Sequence, residues 1–206
     1  MFRIPAALFA VPLLAGPIGA SAGPAAAAPP YPAASPACEG EGVDPGAPVR
    51  HRTETVIHAP LRTVWKLQAD VERWPSWQAH VETADRLDHG PLRAGSVFRW
   101  TTPVPPNPVT PAGRLDIIST VEQIERHSCV RWTGPASGEG LHIDGVHVWT
   151  FTKVRGGVRV ITEETHTGPQ VDAYVPVATG ILRQGLEGWL RDLKAAAESR
   201  AHHRPR

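Results

Sequence analysis

The spacing of apolar residues along this chain changes three times. Residues 53–58 alternate β-branched and polar side chains, the two-residue repeat of a strand with one buried face. At Pro60 the repeat lengthens: Leu61, Val64, Trp65 and Leu67 share one helical face, which Asp70 closes. Residues 71–78 form a second, shorter helical segment broken by Pro75. From residue 80 to 168 no 3.6-residue period survives. Strand-like runs at 80–88, 96–102, 114–125, 128–134, 141–154 and 157–167 follow one another, parted by Gly and Pro. Gly156-Gly157 signals a tight hairpin, and residues 135–140 another turn. The helical period returns over 171–198, where Val171, Tyr174, Ala178, Ile181, Leu182, Trp189, Leu193 and Ala196 make one stripe. Gly180, Gly185 and Gly188 weaken that helix, each by about 1 kcal/mol relative to alanine, and keep side-chain bulk off whatever lies beneath. One strand, two short helices, six strands and a long helix is an α+β order. The short connections between strands imply an antiparallel sheet.

The flanks have a different character. Arg3 followed by the apolar stretch 4–18 and Ala20-Ser21-Ala22 reads as a secretory signal over residues 1–22. The stretch is shorter than the ~20 residues of a spanning helix and carries Pro5, Pro12 and Pro17, so no membrane span is expected once it is removed. Residues 23–52 are rich in Pro, Ala and Gly with few large apolar side chains, the composition of a flexible tether. Residues 200–206 read as a frayed tail. The domain is therefore expected over 53–199, in a secreted or extracytoplasmic monomer. Lys and Arg number 21 against 20 Asp and Glu, a formal charge of +1 without a basic stripe, which removes the electrostatic footprint of a nucleic-acid binder. Two cysteines, Cys38 and Cys129, are either bridged, as export permits, or free thiols.

Seven tryptophans are many for 206 residues. Phe98 and Trp100 share one strand face, Val130 and Trp132 another, and His147, Trp149 and Phe151 point the same way by the two-residue repeat. These rings either fill a core or line a gap beneath the last helix, with Trp74 and Trp77 as wedges or plugs at its end. His147 puts an imidazole on that face, as an anchor for a polar group or as an acid–base residue. Glu164 and His166 are in phase with Val158, Val160 and Thr162 and reach the same side. His142 is five residues from His147 and faces away on an unbroken strand, so no metal site is expected. Ser76, Ser119 and Ser137 lack the surroundings of a nucleophile.

Ala59-Pro60, Val64-Trp65, Trp74-Pro75-Ser76-Trp77, Gly95-Ser96-Val97-Phe98, Val130-Arg131-Trp132-Thr133-Gly134, His147-Val148-Trp149-Thr150-Phe151 and Glu163-Glu164 with Gly168 resemble the polyketide cyclase/dehydrase and lipid-transport family, within the START and Bet v 1-like superfamily. The resemblance implies a helix-grip fold: a seven-stranded curved antiparallel sheet around the C-terminal helix, enclosing an apolar cavity. It implies a small hydrophobic ligand such as a lipid or polyketide, and no cofactor. The expected ligand-binding residues are Trp77, Phe98, Trp100, Trp132, His147, Trp149, Glu164, His166, Tyr174 and Ala178. If the protein is instead a cyclase or dehydratase, His147 and Glu164 are its acid–base pair. A third reading is a partner-binding module built on the tether and the loop 103–111. The family has no universal catalytic motif, so the fold alone supplies no reaction.

Overall fold

The computed structural model describes residues 36–106 and 112–202, within the unit that begins at residue 34. The signal segment, residues 23–35 of the tether, part of the proline-rich loop and the last four residues lie outside the described residues. The elements are β1 (Val49–Ile57), α1 (Leu61–Ala69), a 3-10 helix (Val71–Ser76), β2 (Thr83–Arg86), β3 (Val97–Val104), β4 (Gly113–Glu125), β5 (Cys129–Gly138), β6 (Leu141–Val154), β7 (Gly157–Thr167), α2 (Pro169–Ala173) and α3 (Val175–His202). All seven strands form one curved antiparallel sheet in the order β1-β7-β6-β5-β4-β3-β2. Every sequential neighbour from β2 to β7 is joined by a short connection or loop, and β1 closes onto β7. This is the helix-grip architecture, with α3 lying along β1 and α1.

Local chemistry explains the joints. Gly156, at φ 83°, turns β6 into β7 with Arg155. The following Gly157 sits where a Cβ would fall 2.1 Å from the Ile57 carbonyl oxygen, so any side chain there is excluded by backbone. The turn expected at 135–140 is shorter than its composition suggests: β5 runs on to Gly138 and only Glu139-Gly140 turn. Pro135 fits inside the strand because the ladder to β4 is interrupted there, where the proline has no N–H to offer. The predicted terminal helix is two helices, separated at Tyr174 (φ −133°, ψ 46°), and α3 continues to His202 rather than fraying at 200.

The N-terminal boundary also differs from expectation. The first strand begins at Val49, because Val49 and His51 continue the inward alternation of Thr53 and Thr55. Arg50 faces outward and pairs with Glu163, which is itself buried. Residues 36–48 are not a free tether but a strap on the outer face of the sheet. Cys38 is bonded to Cys129, and Arg131 Nε donates to the Gly42 carbonyl at 2.8 Å. Cys38 and Val43 are buried, as are the outward-facing Val148, Glu163 and Thr165. Both faces of the sheet's middle are therefore covered.

The inner face and α3 share two apolar clusters. The larger contains Trp74, Phe98, Trp132, Trp149, Phe151, Trp189, Leu190 and Leu193 with the inner face of α1. The smaller contains Val49, Ile117, Ala136, Ile143, Val171, Leu182 and Leu186, with Val175 and Ala178 against it. Trp100 packs against both.

Candidate functional site

Cross-strand register sets out the inner face in rows, since directly opposed residues of antiparallel strands project to the same side. One row reads Thr53–Thr162–Trp149–Val130 across β1, β7, β6 and β5. The next reads His51–Glu164–His147–Trp132, and the third Val49–His166–Gly145–Gly134. Moving along the strands, the interior passes from rings, through a polar row, to a patch of two opposed glycines.

The ring end is filled by the protein itself. Trp74 is fully buried, and its ring centroid lies 4.9 Å from Trp189, 5.4 Å from Phe98, and 5.9 Å from both Trp100 and Trp132. Most of these contacts are edge-to-face, the arrangement favoured by the ring quadrupole. Gln68, buried in α1, accepts the indole N–H of Trp74 on its backbone carbonyl (3.0 Å) and that of Trp189 on its side-chain oxygen (3.1 Å). Of the residues expected to line a gap under α3, Phe98 and Trp132 pack on each other and on Trp74, and Trp149 packs on Trp132 and Trp189. Trp77 sits apart, beside Trp189 at the outer edge of α3.

The polar row is hydrogen-bonded within itself. His147, only 5% exposed, has Nε2 2.7 Å from Thr162 Oγ1 and Nδ1 3.3 Å from Glu164 Oε2. Glu164 Oε1 lies 3.1 Å from His166 Nε2. Burial pushes the His147 pKa down to about 4, against the upward pull of Glu164. The imidazole is therefore neutral at pH 7. Its position sets the proton on Nδ1, towards the carboxylate, and leaves Nε2 to accept from the threonine hydroxyl. Burial works against a charged Glu164, but the His147 and His166 imidazoles and the hydrogen bond from His166 outweigh it and hold its pKa below the ordinary value. Glu164 is thus an ionised carboxylate in a buried polar row of the inner face. His51 extends the row towards α3, 3.7 Å from Glu187, and burial lowers its pKa against the opposing effect of that glutamate.

Two opposed glycines, Gly134 and Gly145, lie beside this carboxylate. The atoms nearest to a Cβ at Gly145 would be the Gly134 carbonyl oxygen at 3.4 Å, Glu164 Oε1 at 3.6 Å and the His166 ring at 3.7 Å. Above it, the first turns of α3 are only half-buried, Tyr174 is 50% exposed at the α2–α3 joint, and Ile181 is exposed too. His147, Glu164 and His166 are accordingly brought together, and Trp100, Ala178 and Tyr174 line or flank the same end of the interior. His142 lies on the outer face with Asp144 and Ser137. Among the described residues no group of three or more His, Cys, Asp and Glu side chains is disposed to hold a metal ion. Sequence reasoning missed His51, which the alternation Val49-His51-Thr53 signals once the strand is extended, and Gln68, whose role has no sequence signature.

The sequence model of the family "Polyketide cyclase / dehydrase and lipid transport" matches residues 48–198. The chain belongs to this family. No curated protein matches it in sequence. Among solved structures it resembles a conserved protein from Geobacillus kaustophilus (TM-score 0.62, 10% identity, 73% of this chain and 95% of that one). It also resembles Ara h 8.0201 (0.56, 13%, 73% and 97%). A third is the di-domain ARO/CYC StfQ from the steffimycin biosynthetic pathway (0.57, 18%, 75% and 52%), of which the chain spans about half. At these identities the likeness establishes the fold.

Proposed function

We propose that this protein is an exported, monomeric binder of one small, largely apolar molecule bearing a polar group, held between the sheet and the first half of α3. The observation that carries this reading is Glu164: an ionised carboxylate fixed by two imidazoles, facing inward beside the Gly134–Gly145 patch. Burying a charge is costly unless it is paired, and here two imidazoles pair the carboxylate. Apolar burial supplies affinity at about 25 cal/mol per Å², and the polar row orients the guest. The family's name, with its lipid transport and cyclase members, agrees with a guest of this chemistry. The Cys38–Cys129 bridge agrees with export, since disulfides persist in oxidising compartments. Sequencing the N-terminus of the exported protein is expected to show cleavage near residue 22.

Native mass spectrometry before and after solvent extraction tests the binding. A releasable small molecule, retained less well by Glu164→Gln, is the expected result. An empty protein that also takes up no apolar probe overturns the reading. The second reading, a cyclase or dehydratase, draws on the His147–Glu164 contact. Both imidazole nitrogens of His147 already have partners within the protein, which favours positioning over proton transfer. Turnover lost in His147→Ala with guest affinity intact would reverse that preference.

A further inference from the structure

The outside of the helical layer carries a second feature that the interior does not explain. Between α1 and the end of α3 lies a groove of about 280 Å³ lined by Arg62, Thr63, Lys66 and Arg200. Arg62 and Lys66 are one helical turn apart on α1, and Arg200 faces them from α3. All three cations are exposed, no acid lines the groove, and none of the three forms an ion pair among the described residues. On the other side of Arg200 is a groove of about 370 Å³ with a mixed lining, in which Trp77, Ala195 and Ala196 stand beside Ser76, Ser199 and Asp192. Its one carboxylate, Asp192, is occupied by the Ala79 backbone N–H at 3.0 Å. Arg200 lines both grooves. Trp77 keeps its indole N–H buried and without a hydrogen-bond partner, although buried indole N–H groups usually have one.

We infer that these adjoining grooves form a surface site for an anionic amphiphile. The phosphate or carboxylate head sits on Arg62, Lys66 and Arg200, and the start of the apolar tail lies over Trp77 and the two alanines. Three cations around a groove that no carboxylate lines favour an anion of phosphate type, with Asp192 confined to the adjoining groove. The volumes are near the lower end of pockets that hold small molecules, about 300 Å³, which suits a head group and a few methylenes rather than a whole lipid. The chemistry is common to a free amphiphile and to an anionic lipid presented by a bilayer. The site does not depend on an interior guest.

Dodecyl phosphate below its micelle concentration, titrated calorimetrically, is the probe. Binding that weakens with added salt and falls at least tenfold in the triple variant Arg62→Gln/Lys66→Gln/Arg200→Gln is expected, a loss of the size that removing charge-assisted hydrogen bonds produces. Trp77→Leu is expected to weaken dodecyl phosphate while leaving inorganic phosphate unchanged. All variants have exposed or half-buried positions, and unchanged melting temperatures verify their folding. Co-sedimentation with phosphatidylglycerol but not phosphatidylcholine vesicles, lost in the triple variant, identifies the bilayer as the source of the head group. Undiminished binding of dodecyl phosphate by the triple variant assigns the guest to the interior and overturns the inference. So does inorganic phosphate binding as tightly as dodecyl phosphate, or no binding to either amphiphile or anionic vesicles.

Discussion

The two ends of the inner face are built from the same strands, four residues apart along them, and they have opposite characters. At one end Trp149 on β6 and Trp132 on β5 meet Trp74 and Trp189, and every ring has a ring for a neighbour. At the other end, four residues further along β6 from Trp149, Gly145 opposes Gly134, in the same row as Val49 of the smaller apolar cluster. Between them the His51–Glu164–His147 row separates the packed rings from the glycine pair. In this fold a helix held over a curved sheet touches it firmly only where large side chains bridge the gap. Rings supply that bridge at the aromatic end, and Leu182 and Leu186 a smaller one at the glycine end, where the guest is proposed to sit.

The largest expected effect breaks the packed end. Trp74→Ala removes the ring that four others contact and should cost about 3–5 kcal/mol in denaturant unfolding, with guest affinity of the folded fraction little changed. A cost below 1 kcal/mol would mean that the rings do not hold α3. Loss of the Cys38–Cys129 bridge, by Cys→Ala at both positions, should cost about 2–4 kcal/mol. It frees the strap from the outer face while leaving the inner row intact, so guest binding should survive at temperatures where the protein remains folded.

The polar row predicts a pH dependence. His147 has an ordinary pKa of 6.5 and a folded value of about 4, so between those values the unfolded chain binds a proton that the folded chain refuses. Stability therefore falls as pH drops across that window, by at most about 3 kcal/mol. Glu164, held below its ordinary value, contributes stability that is lost further towards acid. His147→Gln should flatten the decline between pH 6.5 and 4 in unfolding curves; an unchanged slope would show that another group is responsible. The smallest stability effect sharpens the comparison most. Gly145→Ala adds a Cβ at ordinary contact distances and should change stability by less than about 1 kcal/mol, yet weaken an interior guest by occupying its floor. Gly134→Ala, whose Cβ would lie 3.0 Å from both the Ile118 carbonyl and Ser119 Oγ, should destabilise as well.

Much of this was legible without coordinates, and the reasons are local. Strand alternation needs only neighbouring residues, so β3, β4, β6 and β7 were placed within two residues, and the inward phase of His147, Glu164 and His166 followed from counting by two. The misplaced first boundary is also local in origin: Pro48, Arg50 and Arg52 give residues 48–52 a linker's composition, and only pairing with β7 shows that the arginines face outward. Whether Cys38 reaches Cys129 depends on where a strap of low hydrophobicity settles, a matter for the sheet's outer face.

The chain's own pattern determined the order of elements, their antiparallel pairing and the side of each strand that faces inward, because these depend on backbone sterics and side-chain period. Tertiary structure decided which inward residues meet. Seven indoles can stack on one another or surround a guest with the same sequence phase, and the choice rests on how far α3 stands from the sheet, a distance set jointly by Trp74, Gln68 and Trp189 from three separate elements. No single segment contains that distance, so no single segment could reveal it.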